Sequence, residues 1–253
     1  MQAAVIAVIL GLLGVAIAQA EDCRPETIGS FPAGAVIDGR TFKLDDGRAV
    51  RLAAIEVPPG DGPRVAMEKL VAGRNVTLKR QGPASDRYGH LVAFAFIERE
   101  GSERWVEREM VASGQARAGA RIADGACAAA LLAAERAARR AKQGLWADAK
   151  YAIRRADDAA GLLAERGRFT VAEGRVLSVR EAGGTIYVNF GRVWSQNLTV
   201  TILKRNERLL NAAGIEPKRL EGRRLRVRGW IEDRNGPQIE VARAEQIEFA
   251  DRE

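Results

Sequence analysis

The chain has 253 residues, of which 47% are hydrophobic and 29% are charged. This composition is typical of folded globular proteins and excludes an intrinsically disordered chain. The formal net charge of +7 favours a polyanionic partner such as nucleic acid, anionic lipid headgroups or acidic glycans, and it is equally compatible with a basic surface that has no partner. One histidine and two distant cysteines give no zinc-ligand spacing, and no nucleophile elbow or phosphate loop is present.

The first twenty residues differ from the rest of the chain. Residues 3–17 form an apolar run that ends in Ala18-Gln19-Ala20, which predicts a secretory leader (residues 1–20) cleaved after Ala20. No Lys or Arg precedes the run, so retention as an anchor is the alternative, although a spanning helix needs about 20 apolar residues. We therefore expect export to the bacterial periplasm or the extracellular space, with no stable membrane span after cleavage.

A β-rich block with helices follows. Segments of alternating polarity flank the hairpin turn signal Asp45-Asp46-Gly47. The Ala-rich residues 125–142, followed by Gly144, give the clearest helix pattern in the chain. The same reasoning predicts further strands at residues 75–79 and 90–97 and short helices at residues 64–71 and 106–113.

A second β-rich block occupies the C-terminal third. Residues 149–167 are charged and rich in alanine, which predicts a helical linker. Asn235-Gly236 is a strong hairpin turn signal between two strands. About five short strands with one helix between them favour a small OB-like barrel over residues 168–250; the candidate strands are 176–179, 185–190, 198–203, 223–232 and 238–241, and the helix is 207–213.

Four motifs of the first block occur in a characteristic order. They are residues 36–42 (VIDGRTF), residues 50–58 (VRLAAIEVP), residues 86–90 (DRYGH), and Glu135 followed by Gly144-Leu145-Trp146. In this order they resemble the staphylococcal nuclease-like (thermonuclease) family over residues 28–148. The resemblance implies a mainly β fold with helices (α+β), in which a five-stranded OB-type barrel carries three helices.

The resemblance also implies a chemistry, because members of this family hydrolyse DNA or RNA phosphodiesters with Ca²⁺. That chemistry needs carboxylates for the cation, a carboxylate that activates water, and two guanidinium groups on the phosphate. Arg51 matches the first phosphate-binding arginine, Glu56 matches a calcium ligand with one additional methylene, and Val57 matches the residue that offers its backbone carbonyl to the metal.

Three positions depart from the family pattern. Arg40 stands where the family has its first calcium carboxylate, Pro59 stands where it has the water-activating glutamate, and His90 replaces the second arginine. We therefore expect a degenerate site that is inactive or weak and has no cofactor, with Ca²⁺ required only if the site is active. Arg40 either pairs with Glu56, so that an internal ion pair replaces the metal, or points into solvent.

Two further features bear on function. Cys23 and Cys127 are the only cysteines, and in an exported chain they either form a disulfide or remain as free thiols. Strand alternation places Arg224, Arg226, Arg228 and Trp230 on one face of a strand. That face suits a phosphate track with a stacking platform, and its alternative is an ordinary solvated face.

The sequence thus supports three functions. The first is an exported nuclease-fold protein with a degenerate site that binds nucleic acid or another polyanion. The second is a Ca²⁺-dependent phosphodiester hydrolase of the thermonuclease type. The third is a protein-interaction module of the cell envelope.

Overall fold

The computed structural model describes residues 23–122 and 124–252. The predicted leader lies outside the described residues. Two hydrophobic cores are present, one built from residues 33–134 and one from residues 156–247.

The first core is enclosed by a closed barrel. Its strands are β1 (Thr27–Val36), β2 (Thr41–Leu44), β3 (Ala49–Leu52), β5 (Asn75–Ser85) and β6 (Leu91–Arg99). They are paired in the order β3–β2–β1–β5–β6, and β6 pairs in parallel with β3 to close the barrel. A short strand β7 (Ser102–Trp105) extends β6, while β4 (Ile55–Glu56) pairs with β8 (Arg117–Ala118) beside the barrel. The predicted OB-type five-stranded barrel in an α+β fold is confirmed.

Three helices cover this barrel, as predicted. They are α1 (Asp61–Val71), α2 (Val106–Ala112) and α3 (Gly125–Arg140). The carboxylate of Asp124 accepts a hydrogen bond from the backbone N–H of Cys127 at 2.9 Å, which satisfies one of the free donors in the first turn of α3. Buried Met67 of α1 and Leu131 of α3 join the barrel core with Phe42 and Phe94.

A disulfide joins Cys23 to Cys127, with a Cα–Cα distance of 4.5 Å. The bond ties the segment before β1 to the first turn of α3. The pairing of the two cysteines is therefore confirmed, and the free-thiol alternative is excluded. No helix among the described residues is long and apolar enough to cross a membrane.

The prediction of a helical linker at residues 149–167 is wrong. The segment contains one helical turn at Ala149–Tyr151, a short strand β9 (Arg154–Arg155) and a five-residue helix α4 (Ala159–Leu163). The strand β9 pairs in parallel with β10 (Phe169–Arg175), and Ala156 and Leu162 are buried in the second core. These contacts compete with a continuous helix, and alanine content alone could not reveal them.

The second core lies between two sheets that share bent strands. The strands that follow β10 are β11 (Ser178–Ala182), β12 (Thr185–Asn189), β13 (Thr199–Leu203), β14 (Arg224–Trp230), β15 (Glu232–Asp233), β16 (Pro237–Glu240) and β17 (Ile247–Phe249). One sheet has the order β17–β14–β10–β9, and the other has the order β11–β12–β13–β16–β15. Only two residues separate β10 from β11, and one residue separates β14 from β15.

The two units share one topology. In each, the third strand runs parallel to the last strand of the barrel (β3 with β6, β13 with β16). A helix also follows the third strand in each unit, α1 in the first and α5 (Lys204–Ala212) in the second. This arrangement is that of an OB-like barrel, in agreement with the architecture expected for the C-terminal block.

Candidate functional site

The residues that correspond to the nuclease site lie at one end of the first barrel. Arg40 stands between β1 and β2, Arg51 lies in β3, and Glu56 lies in β4. The carboxylate of Asp38 accepts the backbone N–H of Arg40 at 2.7 Å, which holds the turn that presents the Arg40 side chain. The strand β4 is fixed by pairing Glu56 with Arg117 of β8.

Arg40 forms an ion pair with Glu56. Its Nη1 donates to Oε2 of Glu56 at 3.1 Å, and its Nε donates to the carbonyl of Leu52 at 3.0 Å. Both side chains are about four-fifths buried, with 20% and 18% of their surfaces exposed. Burial lowers the pKa of Arg40 and raises the pKa of Glu56, while the positive charges of Arg40, Arg51 and Arg117 oppose the rise for Glu56. The structure thus has the ion pair and not the solvent-directed arginine.

These residues do not fit Ca²⁺. The ion takes about six to eight oxygen ligands, mostly carboxylate and carbonyl oxygens. Here Glu56 faces a guanidinium at ion-pair distance, and two further arginines act on the same carboxylate. Among the described residues, no group of three acidic, histidine or cysteine side chains is placed to hold a metal.

Arg51 lies beside this ion pair but is not part of it. Within the described residues its side chain has neither an ion pair nor a hydrogen bond, although its charge acts on Arg40 and Glu56. Arg51 lines a cleft of about 730 Å³ together with Arg40, Glu56 and the exposed Arg121. A guanidinium that lines a cleft and has no partner among the described residues can bind a phosphate or carboxylate.

The opposite wall of this cleft comes from the second barrel. It is formed by Trp230, Ile231, Glu232 and nearby residues. A second pocket of about 310 Å³ shares Glu56 and Trp230 with the cleft and adds Arg117, Lys150 and Arg168. Trp230 is 44% exposed and packs edge-on against Phe169 with a centroid distance of 5.0 Å. The face that carries Arg40, Arg51 and Glu56 is therefore one wall of a two-walled groove, and Trp230 lines both of its pockets.

The other positions matched to the family are placed differently. Val57 and Pro59 line the smaller pocket, and Pro59 brings no titratable group there. His90 lines neither pocket. Its Nδ1 lies 3.0 Å from the carboxylate of Asp86, whose pKa is lowered because hydrogen bonds from His90 and Tyr88 outweigh the effect of burial. His90 thus serves the loop before β6 and does not replace the missing arginine in the cleft.

The predicted basic face of β14 is wrong for two of its three arginines. Arg226 and Arg228 are 7% and 1% exposed, whereas Arg224 and Trp230 are exposed. The alternation itself is correct, because Leu225 and Val227 enter the second core. The opposite face of β14, however, packs against the first barrel at Arg228 and is exposed at its two ends, Arg224 and Trp230. Arg226 donates to Glu173 at 2.7 Å, so neither of the two buried arginines is accessible to a polyanion.

Arg228 is the centre of a buried ionic cluster that joins the two barrels. It donates to both carboxylate oxygens of Glu135 in α3, each at 2.9 Å, to the carbonyl of Ala118, and to Glu248 in β17. Glu135 also accepts the N–H of Ala118 at 2.7 Å and a bond from Arg139 at 2.8 Å. Burial alone would lower the pKa of Arg228, but Glu135 and Glu248 outweigh it and raise that pKa. Sequence reasoning recognised Glu135 only as part of a motif and missed its partner Arg228, which lies 93 residues away.

Arg117 is a further residue of the groove that sequence reasoning missed. Its Nη2 donates to the carbonyl of Phe169 at 2.7 Å, and its guanidinium lies 5.2 Å from the Phe169 ring centroid. Burial lowers the pKa of Arg117, opposed by Glu135 and Glu56. Arg117 therefore links the barrels directly beside the groove.

Together, the closed OB-type barrel, its three helices and the Arg40–Glu56 pair at one end of it describe a nuclease-type barrel. Residues 50–148 match the family model described as staphylococcal nuclease homologue. This match supports a staphylococcal nuclease-like fold for the N-terminal part of the chain. A comparison with curated proteins gives no match.

Proposed function

We propose that this chain is an exported nuclease-fold protein that binds a single strand of nucleic acid in the groove between its barrels and does not cleave it by the calcium route. The observation that carries the proposal is the difference between the two arginines of the site, Arg40 and Arg51. Arg40 is bound to Glu56 at 3.1 Å, while Arg51 lines the cleft with a guanidinium that has no partner among the residues that the structure describes.

The loss of hydrolysis follows from the same geometry. Arg40 supplies from within the protein the positive charge that a cation would otherwise bring to Glu56, and arginine stays protonated at any ordinary pH. At the position of the water-activating glutamate, Pro59 offers no base. Binding and hydrolysis are thereby separated, since the phosphate-binding arginine is kept and the groups that drive the chemistry are lost.

The charge and shape of the groove favour a polyanion with stackable bases. The two pockets together carry seven cationic and four acidic side chains. Trp230 lines both pockets and exposes 44% of its surface, so a base can stack on it while neighbouring phosphates meet Arg51 and Lys150. Stacking of a base on an aromatic ring contributes about 1–3 kcal/mol per base and tolerates any sequence.

Export is part of the proposal. The Cys23–Cys127 disulfide is typical of oxidising compartments. The apolar run before Ala20 has the pattern of a secretory leader. Both features support a location in the periplasm or outside the cell.

Titration of a fluorescent oligothymidylate over a salt series tests the proposal. For single strands each neutralised phosphate contributes about −0.7 to the slope of log K against log salt concentration. Arg51→Ala should reduce the slope by about that amount, and Trp230→Ala should weaken binding about tenfold with little change in slope. Arg219→Ala is the matched control, because Arg219 is exposed, lines neither pocket of the groove and pairs with Glu216.

Two outcomes would count against the proposal. The first is an affinity that does not depend on salt, which would favour the protein-interaction alternative. The second is a pair of groove variants, Arg51→Ala and Trp230→Ala, that bind as tightly as the Arg219→Ala control.

A further inference from the structure

The second barrel has a pocket on its outer surface, on the side of the sheet formed by β12, β13 and β16. Its volume is about 360 Å³, within the range of about 300–1,000 Å³ found for small-ligand sites. The pocket lies between Trp194 and the hairpin turn at Arg234, Asn235 and Gly236. Nothing in the nuclease resemblance assigns a role to it.

Two aromatic rings form its apolar wall. Tyr187 and Trp194 are parallel to within 6°, with centroids 6.4 Å apart, and Trp194 exposes 60% of its surface. The hairpin turn packs closely against the backbone of Trp194, since a Cβ on Gly236 would lie 2.1 Å from the Trp194 carbonyl oxygen. Only glycine allows this approach, and the left-handed φ of 138° at Gly236 requires it as well. The exposed indole, stacked on Tyr187 and backed by a closely packed turn, offers a stacking platform.

Polar groups surround the platform in register. Tyr187 pairs with Thr201 and Thr201 with Glu240, while Thr199 pairs with Gln238, so these side chains occupy adjacent rows of the sheet. The amide nitrogen of Gln238 donates to the Thr201 hydroxyl at 2.8 Å, which orients the amide and leaves its oxygen as an acceptor. The pocket thus combines hydroxyl, amide and carboxylate groups beside an aromatic face.

The pocket shares Glu232 and Glu240 with the inter-barrel groove but has none of the seven cationic side chains of that groove. Its own ionisable side chains are Glu232, Arg234 and Glu240. Arg234 is bound to Glu232 at 2.8 Å, so the lining has a net negative charge and no unengaged cation. OB-type barrels bind both oligosaccharides and oligonucleotides on this face, and a negative lining opposes a phosphate backbone.

We propose that this pocket binds a sugar ring of an oligosaccharide. The apolar face of the ring stacks on Trp194, and its hydroxyl groups bond to Gln238, Glu240 and the strand threonines. Arg180 and Arg192 line a separate depression on the other side of Trp194, where they would be the phosphate contacts if the ligand were nucleic acid instead.

The indole N–H signals of the four tryptophans provide the test. Each signal is assigned in ¹⁵N-labelled full-length protein through its Trp→Phe variant. The protein is then titrated with a panel of neutral and acidic oligosaccharides, including trimers of N-acetylglucosamine and of glucose, and separately with a ten-residue oligothymidylate. This readout distinguishes the two sites, because Trp194 reports on the outer pocket and Trp230 on the groove.

The proposal predicts that at least one oligosaccharide shifts the Trp194 signal saturably and leaves the Trp230 signal unchanged. Trp194→Ala should then weaken binding at least about tenfold and Gln238→Ala about threefold, while Trp230→Ala has no effect. The proposal is overturned if no sugar of the panel moves the Trp194 signal. It is also overturned if oligothymidylate moves that signal and Arg180→Glu with Arg192→Glu abolishes the shift.

Discussion

Replacing Arg228 with methionine should destabilise the protein strongly. Arg228 is 1% exposed and is bound to Glu135 and Glu248, which are 0% and 8% exposed. Removing one partner from a buried ion pair costs about 3–5 kcal/mol, because the remaining charge is left without compensation. Arg139 stays within 2.8 Å of Glu135 and offsets part of this loss. We therefore expect a loss of about 3 kcal/mol in the free energy of unfolding.

Arg224→Met is the matched control for this prediction. Arg224 lies four residues away on the same strand and pairs with Glu173, but 55% of its side chain is exposed. Exposed pairs contribute about 0–1 kcal/mol, so this variant should stay close to the wild type. Urea unfolding at pH 7, followed by tryptophan fluorescence and circular dichroism, measures both. The reasoning is refuted if Arg228→Met costs no more than Arg224→Met.

Three further predictions concern the first barrel. Burial raises the pKa of Glu107 from 4.5 to about 8, against opposing hydrogen bonds from Ala95 and other groups. An acid whose pKa is raised by folding loses stability as pH rises from its unfolded to its folded pKa. Wild-type stability should therefore fall by a few kcal/mol between about pH 4.5 and 8 relative to Glu107→Gln, and coincident pH profiles would contradict this. Dithiothreitol should cost the wild type about 2–4 kcal/mol in the free energy of unfolding, whereas a variant lacking both Cys23 and Cys127 should not respond; equal responses would be inconsistent with a stabilising disulfide. Arg40→Asp should create a calcium-dependent rise in Tm that the wild type lacks, because the substitution removes the internal cation and adds a carboxylate beside Glu56. If calcium does not change the Tm of this variant, the result argues against an ion pair in place of the metal.

Turns, strands and helices whose signals lie within a few neighbouring residues could be predicted from the sequence. The Asp45-Asp46-Gly47 and Asn235-Gly236 turns, the strands around them and helix α3 follow from alternation, turn chemistry and a glycine stop. Asn235 and Gly236 have positive φ values of 60° and 138°, as a tight hairpin turn demands. The prediction of a continuous helix at residues 149–167 was wrong. The alanines of this segment favour a helix locally, but β9 pairs with β10, and Ala156 and Leu162 pack in the second core.

The candidate site was predictable only in part. Alternation places Arg226 and Arg228 on the outer face of β14, but it does not tell whether that face meets solvent or another barrel. The partners of Arg228 come from residues 118 and 135, far away in the chain, and no local pattern encodes such a contact. From the sequence, Arg40 either pairs with Glu56 or points into solvent. The positions of β4 and of the turn at Asp38 show that it pairs with Glu56.

The central claim is that the nuclease-like domain keeps a phosphate-binding groove but has lost its calcium chemistry. The most direct measurement is cleavage of fluorescent DNA and RNA by the purified mature chain, with Ca²⁺ and with EDTA, beside Arg51→Ala. The account predicts no calcium-dependent cleavage in any of these reactions, while the intact chain still binds the oligonucleotides. Calcium-dependent cleavage that disappears in Arg51→Ala would contradict it, because the missing carboxylates would then have been replaced from elsewhere in the chain.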